Sequence, residues 1–398
     1  MLEESGDVFE PGSRPKRGGT PMTDAIDRPI PADDETTISA ARLAAQCVHL
    51  ADKECKGYSP LYERLARQLA EDHELIERLR RVPEPNRVPV NLFAAVNWLV
   101  RRDPGSELAR IYAGAAGDPW PPFRELVDSR FDEVVELLAT RSIQTNEVGR
   151  CSALVPAFAA VVDAYPGRPL GLVEIGPSAG LNLFFDRYVV AYDDGRTFGD
   201  SKADVRLSCQ LVGPGSPPLP EPGELVVASR EGIDLSPVDV RDDESCAWLE
   251  ACIWPDVPGR LERFQAAVRL ARDDPPTLHR GNALDLLGPV VDRLPADRLP
   301  VVVTTWALAY LDRDGRRRIH DALADRGATR DLVLVTAEFP HTTPWIPSPP
   351  RPPTDQEKGA TLLSMTTWTG GVEQRRPLAW MHAHGLWLDW FEPVETHA

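Results

Sequence analysis

The chain has 398 residues, a length for two domains or for one large domain with an appendage, and it can bury a core without disulfides or zinc. Hydrophobic residues at 42% and charged residues at 26% exclude wholesale disorder. Lys+Arg 44 against Asp+Glu 61 leaves a formal charge of −17, which disfavours long nucleic acids and anionic membranes as partners.

Residues 1–35 are polar and rich in Gly, Pro and Asp and read as a disordered tail, with Met22 a second possible start. From 36 to 165 the apolar spacing is helical, and Thr37 is the expected cap of the first helix. VPVNLFAAVNWLV (88–100) is apolar on most sides, as a buried helix is, and Pro156 is expected to kink the last helix of this region. Residues 36–165 are therefore expected to form a helical N-terminal domain or lid. PLGLVEIG (169–176) then reads as a short strand ending in glycine, and 181–188 as the helix after it. The stretch 189–222 reads as a region of turns and short strands, an insertion before the next strand. Strands are expected in 224–237, followed by an outgoing loop, at 276–281, in 299–311, followed by a loop and a helix start, and at 331–339, with helices between them. That rhythm predicts an α/β fold with a mostly parallel sheet over 166–398. The segments 360–371 and 376–393 read as a C-terminal antiparallel hairpin.

LVEIGPSAGLN (172–182) is the sharpest motif. Gly176 and Gly180 flank a tight turn between strand and helix, where backbone N–H groups face a ligand. Serine at position 178 removes the middle glycine of a dinucleotide fingerprint. The spacing E-x-G-x-x-x-G instead resembles the first motif of S-adenosylmethionine-dependent methyltransferases, and GIDLSP (232–237) resembles the end of their second strand. The resemblance implies a Rossmann-like methyltransferase-type sheet and S-adenosyl-L-methionine as cofactor. Glu174, Gly176, Ser178, Gly180 and Asn182 would hold its amino-acid end, and Asp234 its ribose hydroxyls. The 54 positions from Gly180 to Asp234 exceed the usual gap of about 20, which the stretch 189–222 would account for. HRGNALDLL (279–287) would bring Asn282 and Ala283 to the adenine, and TTWALAY (304–310) would bring Thr304 and Trp306 beside the methyl donor.

Just before the first strand, SIQTNEVGR (142–150) concentrates Gln144, Asn146, Glu147 and Arg150, which are candidate lid or substrate residues. Glu147, His279 and His341 are the candidate bases. GPSAG (176–180) also satisfies the G-x-S-x-G nucleophile elbow, which makes a serine hydrolase using Ser178 an alternative. A non-catalytic adenosyl-ligand or protein-binding module is another. His382 and His384 read as hairpin histidines, with no metal expected.

Taken together, RSIQTNEVGRCSAL (141–154), LVEIGPSAGLNLFFDRY (172–188), WLEACIWPD (248–256) and WALAYL (306–311) resemble the uncharacterised bacterial domain-of-unknown-function family 2332, found mainly in actinomycetes, over roughly 40–395. That family is thought similar in fold to methyltransferases. The expected partner is a small molecule, with a homodimer through an exposed edge of the C-terminal hairpin. The six cysteines form no CxxC pair, the N-terminus has no signal-peptide core, and no run of about 18 apolar residues occurs. A cytoplasmic location is expected.

Overall fold

The computed structural model describes residues 35–347, 349, 352 and 360–392, so all of the expected tail except Glu35 lies outside the described residues. Eight α-helices come first: α1 (Glu35–His49), α2 (Pro60–Glu71), α3 (His73–Arg78), α4 (Pro89–Val100), α5 (Glu107–Tyr112), α6 (Trp120–Ser129), α7 (Phe131–Thr140) and α8 (Cys151–Ala164). α1 begins two residues before Thr37, which therefore lies inside it rather than at its cap.

α4 is buried almost all round, as its apolar sequence requires. Its Asn97 donates to the carbonyls of Ala251 (3.0 Å) and Ile253 (3.1 Å) at the end of a later helix, α9 (Asp243–Ala251). Trp98 meets Trp248 of α9 edge to face, and helices α1–α7 share one apolar core with α9. Helix ends leave carbonyls without partners, so a buried asparagine here joins two layers. In α8, Pro156 has no N–H for the carbonyl of Ser152, and the Tyr192 hydroxyl donates to that oxygen instead (2.7 Å).

The strands are β1 (Leu170–Ile175), β2 (Val189–Tyr192), β3 (Thr197–Phe198), β4 (Arg206–Leu211), β5 (Val227–Asp234), β6 (Thr277–Arg280), β7 (Leu299–Thr305), β8 (Leu332–Glu338), β9 (Ala360–Thr369), β10 (Val372–His382) and β11 (Trp387–Trp390). They form one mixed sheet in the order β3-β2-β4-β11-β10-β9-β8-β7-β1-β5-β6. Six of its ten strand pairs are parallel. β1, β7 and β8 are buried along their whole length, which explains their unbroken apolar runs. α8 and α10 (Arg260–Asp273) pack in one core with the sheet, while α11 (Ala283–Arg293) and α12 (Arg313–Gly327) contribute to another.

Two further expectations change, and the inserted stretch takes its place in the sheet. The helix read at 181–188 is a 3₁₀ stretch, Leu181–Arg187, broken at Phe184. Its backbone leaves the helical region at Phe184 (φ −102°, ψ 16°), which ends the regular run. The stretch 189–222, read as turns and short strands, supplies the strands β2, β3 and β4, which extend the same sheet through β4 and β11. The C-terminal hairpin lies inside the sheet between β8 and β11, so it offers no free edge to a second copy. Pro377, which has no N–H to give the ladder, sits at the irregularity between β9 and β10.

Candidate functional site

The carboxyl ends of β5, β1, β7 and β8 meet the segment between α7 and α8. β1 and β5 run parallel with Glu174 opposite Gly232, so Glu174 and Asp234 end neighbouring strands. The turn after β1 has three positive φ values, Gly176 (+72°), Ser178 (+55°) and Gly180 (+74°). A Cβ at Gly176 would lie 2.9 Å from Ala307, so this glycine lets the loop after β7 close on the turn.

The turn is held by side chains. Asp234 accepts from the N–H groups of Ser178 (2.9 Å) and Ser236 (2.8 Å). The Ser178 hydroxyl donates to Gln144 (2.5 Å) and accepts from Asn146 (2.6 Å), and Asn146 also accepts from the Ala179 N–H (3.2 Å). Gln144 donates to the Ser236 carbonyl (2.7 Å). The two amides therefore lie directly on the turn, as a strap.

Glu174 is 2% exposed, and its Oε2 has no hydrogen-bond partner. Burial pushes its carboxyl up to about 8, against the opposing pull of Asn182 and Arg150, and Asp234 adds to the rise. It borders a small cavity between Phe158, Phe185 and Asn182 with about 10 Å³ of room, the space of roughly one water molecule. That cavity is far too small to be a ligand pocket as it stands.

Next to the strap lies a charged cluster with members from four parts of the chain. Glu147 is 2% exposed and accepts from the Gly149 N–H (3.0 Å). Its Oε2 lies 2.8 Å from Arg260 Nε and 3.1 Å from His384 Nδ1. Burial alone would raise this carboxyl, but Arg260, His384 and Gly149 together hold it far below the ordinary carboxylate range. Arg150 is 3% exposed and donates to the carbonyls of Ala383 (2.9 Å) and Thr305 (3.1 Å). Its guanidinium lies 5.2 Å from the Trp306 ring. Glu338, at the end of β8, accepts from the N–H groups of Ala307 (2.8 Å) and Leu308 (3.0 Å), and burial pushes it up to about 7. Trp306 has a φ of +63°, rare for a bulky residue, and donates from its indole to Thr361 (3.0 Å). Thr304 is fully buried in β7.

The remaining candidates lie apart from this cluster. Asn282 caps α11 by accepting from the Leu284 N–H (3.0 Å), and Ala283 is the first residue of that helix. His279 on β6 pairs with Glu231 of β5 (2.8 Å). His341 is exposed and stacks on Phe339. Of the three candidate bases only Glu147 lies in the cluster, and it is locked as an anion. Arg260, Glu338 and His384 are cluster residues that were not among the site candidates. Glu338 carried the same signal as Glu174, an acid at the end of an apolar run. Arg260 opens an amphipathic helix and had no signal. Among the described residues no group of three His, Cys, Asp or Glu side chains is placed to hold a metal ion.

The chain matches, over residues 44–390, the model of a family described as an uncharacterized protein conserved in bacteria (DUF2332). It belongs to this family. The match takes in the strap, the glycine turn and the charged cluster alike. No curated protein matches the chain. No helix among the described residues is long and apolar enough to cross a membrane.

Proposed function

We propose that this family member binds S-adenosyl-L-methionine at the carboxyl ends of β1 and β5 and methylates a small molecule. The order β6-β5-β1-β7-β8 supports a Rossmann-like sheet of methyltransferase type, with residues 36–165 as a helical domain or lid before it. In such sheets β1 is where the crossover direction reverses, and ligands lie outside the strand ends at that point.

Glu174 carries the reading. A buried carboxyl oxygen without a partner is costly, and it stands beside a turn with three positive φ values, where backbone N–H groups can turn toward a ligand. The ammonium of an amino-acid tail would satisfy it. Asp234 retains acceptor positions beyond its two N–H partners, since a carboxylate offers about four, and these suit a ribose diol. Gln144 and Asn146 occupy the ground over the turn, so the strap must lift or turn its amides onto the ligand. With that movement the residues present fit the cofactor.

When bound, the cofactor supplies an electrophilic methyl group. The chain itself orients both reactants and excludes water. Arg150 and Trp306 close the far side of the crevice, and Glu338 holds the loop after β7 by two N–H groups. The six cysteines are free, which suits a reducing compartment such as the cytoplasm.

Calorimetric titration with S-adenosylmethionine and S-adenosylhomocysteine tests the reading. We expect binding by the wild type and at least about tenfold weaker binding by Glu174→Gln, the loss of one charge-assisted contact. Absence of heat at millimolar ligand sinks the proposal. A non-catalytic module would show the same binding without turnover. The hydrolase alternative has the φ of Ser178 in its favour, but the hydroxyl lies between two amides, and neither can take its proton.

A further inference from the structure

The donors of the turn after β1 can be accounted for one by one. The Gly176 N–H goes to the carbonyl of Ile233 (2.9 Å) and the Gly180 N–H to that of Pro177 (2.8 Å). Pro177 has no N–H, and the Ser178 N–H goes to Asp234 (2.9 Å). Two donors of 176–180 are left, the Ala179 N–H and the Ser178 hydroxyl. The strap takes both. Asn146 accepts from the first (3.2 Å) and Gln144 from the second (2.5 Å), and Asn146 also donates to the same hydroxyl (2.6 Å). The two amides thus stand where the polar end of a ligand would stand.

The strap hangs between two fixed ends. Upstream, Arg141 is paired with Glu244, and the Trp248 indole donates to the Ser142 carbonyl (2.9 Å). Downstream, Glu147, Val148, Gly149 and Arg150 are buried, and Arg150 is bonded to the carbonyls of Ala383 and Thr305. Between these ends, residues 143–146 belong to no helix or strand and make no backbone-to-backbone hydrogen bond to any described residue. Side chains hold them instead: the bonds of Gln144 and Asn146 to the turn, the Gln144 bond to the Ser236 carbonyl (2.7 Å), and the packing of Ile143 against the helical core. A segment without ladder bonds opens at lower cost than the elements it joins.

A thiol lies against the strap. Cys252, just after α9, packs against the same helical core as Ile143. Burial pushes its thiol up to about 12, with the Gln144 backbone pulling the other way. A thiol reacts as its thiolate, so the reactivity of Cys252 depends on whether the strap is closed. The other five cysteines are buried.

We propose that the strap is a latch that competes with the ligand of the glycine turn. In the ligand-free chain Gln144 and Asn146 occupy the two spare donors of the turn, and a ligand reaches those donors only after residues 143–146 swing out between their fixed ends. The amides do not turn onto the ligand, because the ligand takes their partners. The inference rests on the glycine turn being the ligand site of the proposed function, but the swing itself takes place without ligand.

The test uses the full chain and follows alkylation of each cysteine by iodoacetamide, read by peptide mass. In the double variant Gln144→Ala with Asn146→Ala, Cys252 should react at least about tenfold faster than in the wild type, the loss of several modest hydrogen bonds, while the five buried cysteines keep their rates. If all six accelerate together, the double variant has lost its fold. Gln144→Ala alone, which leaves Asn146 on the turn, then decides, with an expected gain of about threefold at Cys252. S-adenosylhomocysteine is titrated into the same samples by calorimetry. The variant that keeps its fold should bind it more tightly than the wild type, by about the same factor as its gain at Cys252. Unchanged reactivity of Cys252, or equal or weaker binding by the variant, overturns the proposal. If neither protein binds, the cofactor reading fails alone, and faster alkylation of Cys252 in the variant still supports the latch.

Discussion

Glu174 and Glu147 are both about 2% exposed, yet the fold treats them in opposite ways. Glu147 has Arg260, His384 and a backbone N–H, and it stays charged. Glu174 has one oxygen with no partner, and burial favours its neutral form. Breaking a buried ion pair on one side costs about 3–5 kcal/mol, because a charge is left unmatched. Arg260→Met should therefore lower stability by about that amount in urea unfolding at neutral pH, and adding Glu147→Leu should restore most of it. A loss under about 1 kcal/mol for the single change, the size of a surface pair, would contradict the buried pairing. Both acids stand out in the sequence as polar residues beside apolar runs, but nothing there distinguishes the paired one from the unpaired one. Arg260, 113 positions from Glu147, is what separates them.

At the scale of elements, the turn 382–385 is seated on the strap by two glycines. A side chain at Gly149 would strike the His384 carbonyl, and one at Gly385 would strike the Gly149 carbonyl. Gly385 also has a φ of +75°. Ser152 donates to its carbonyl (2.7 Å) and Arg150 to that of Ala383 (2.9 Å), so the turn is tied to the start of α8 by side chains as well. Gly385→Ala should lower stability by about 2 kcal/mol, from positive-φ strain plus a backbone clash, and should expose His384 to diethyl pyrocarbonate faster than in the wild type. Unchanged stability and labelling would show that the turn is not held by this contact. The histidines read from sequence as hairpin residues because two-residue spacing fits a strand. β10 stops at His382, so His384 belongs to the turn and meets Glu147.

For the whole molecule, the buried acids set a pH dependence. Burial raises Glu174 from 4.5 to about 8 and Glu338 from 4.5 to about 7. A raised carboxyl binds more protons in the folded state than in the unfolded state through that window, so stability falls as pH rises from about 4.5 toward 8. Glu147 acts in the opposite sense, because its depressed carboxyl contributes stability that is lost as pH falls below the ordinary carboxylate range. The free energy of unfolding from urea titrations should therefore decline above mildly acidic pH, by on the order of several kcal/mol in all, and the midpoint with it. Glu174→Gln should flatten that decline while weakening the proposed cofactor binding. A wild-type midpoint that stays level across the window would show that neither acid is held protonated.

The sequence by itself determined the α/β rhythm, the helical region before it, the glycine turn after β1 and the acids that close β1 and β5. Each depends on local periodicity or on residue types at short spacing, which a single chain displays directly. Only the tertiary structure decided that β2, β3 and β4 extend the main sheet and that the C-terminal hairpin lies within it. It also decided that Gln144 and Asn146 cover the turn, and that Glu147, Arg260 and His384 share one buried site. Strand order and side-chain partnership are contacts across long stretches of chain. They follow from which surfaces bury together, and no local spacing records that.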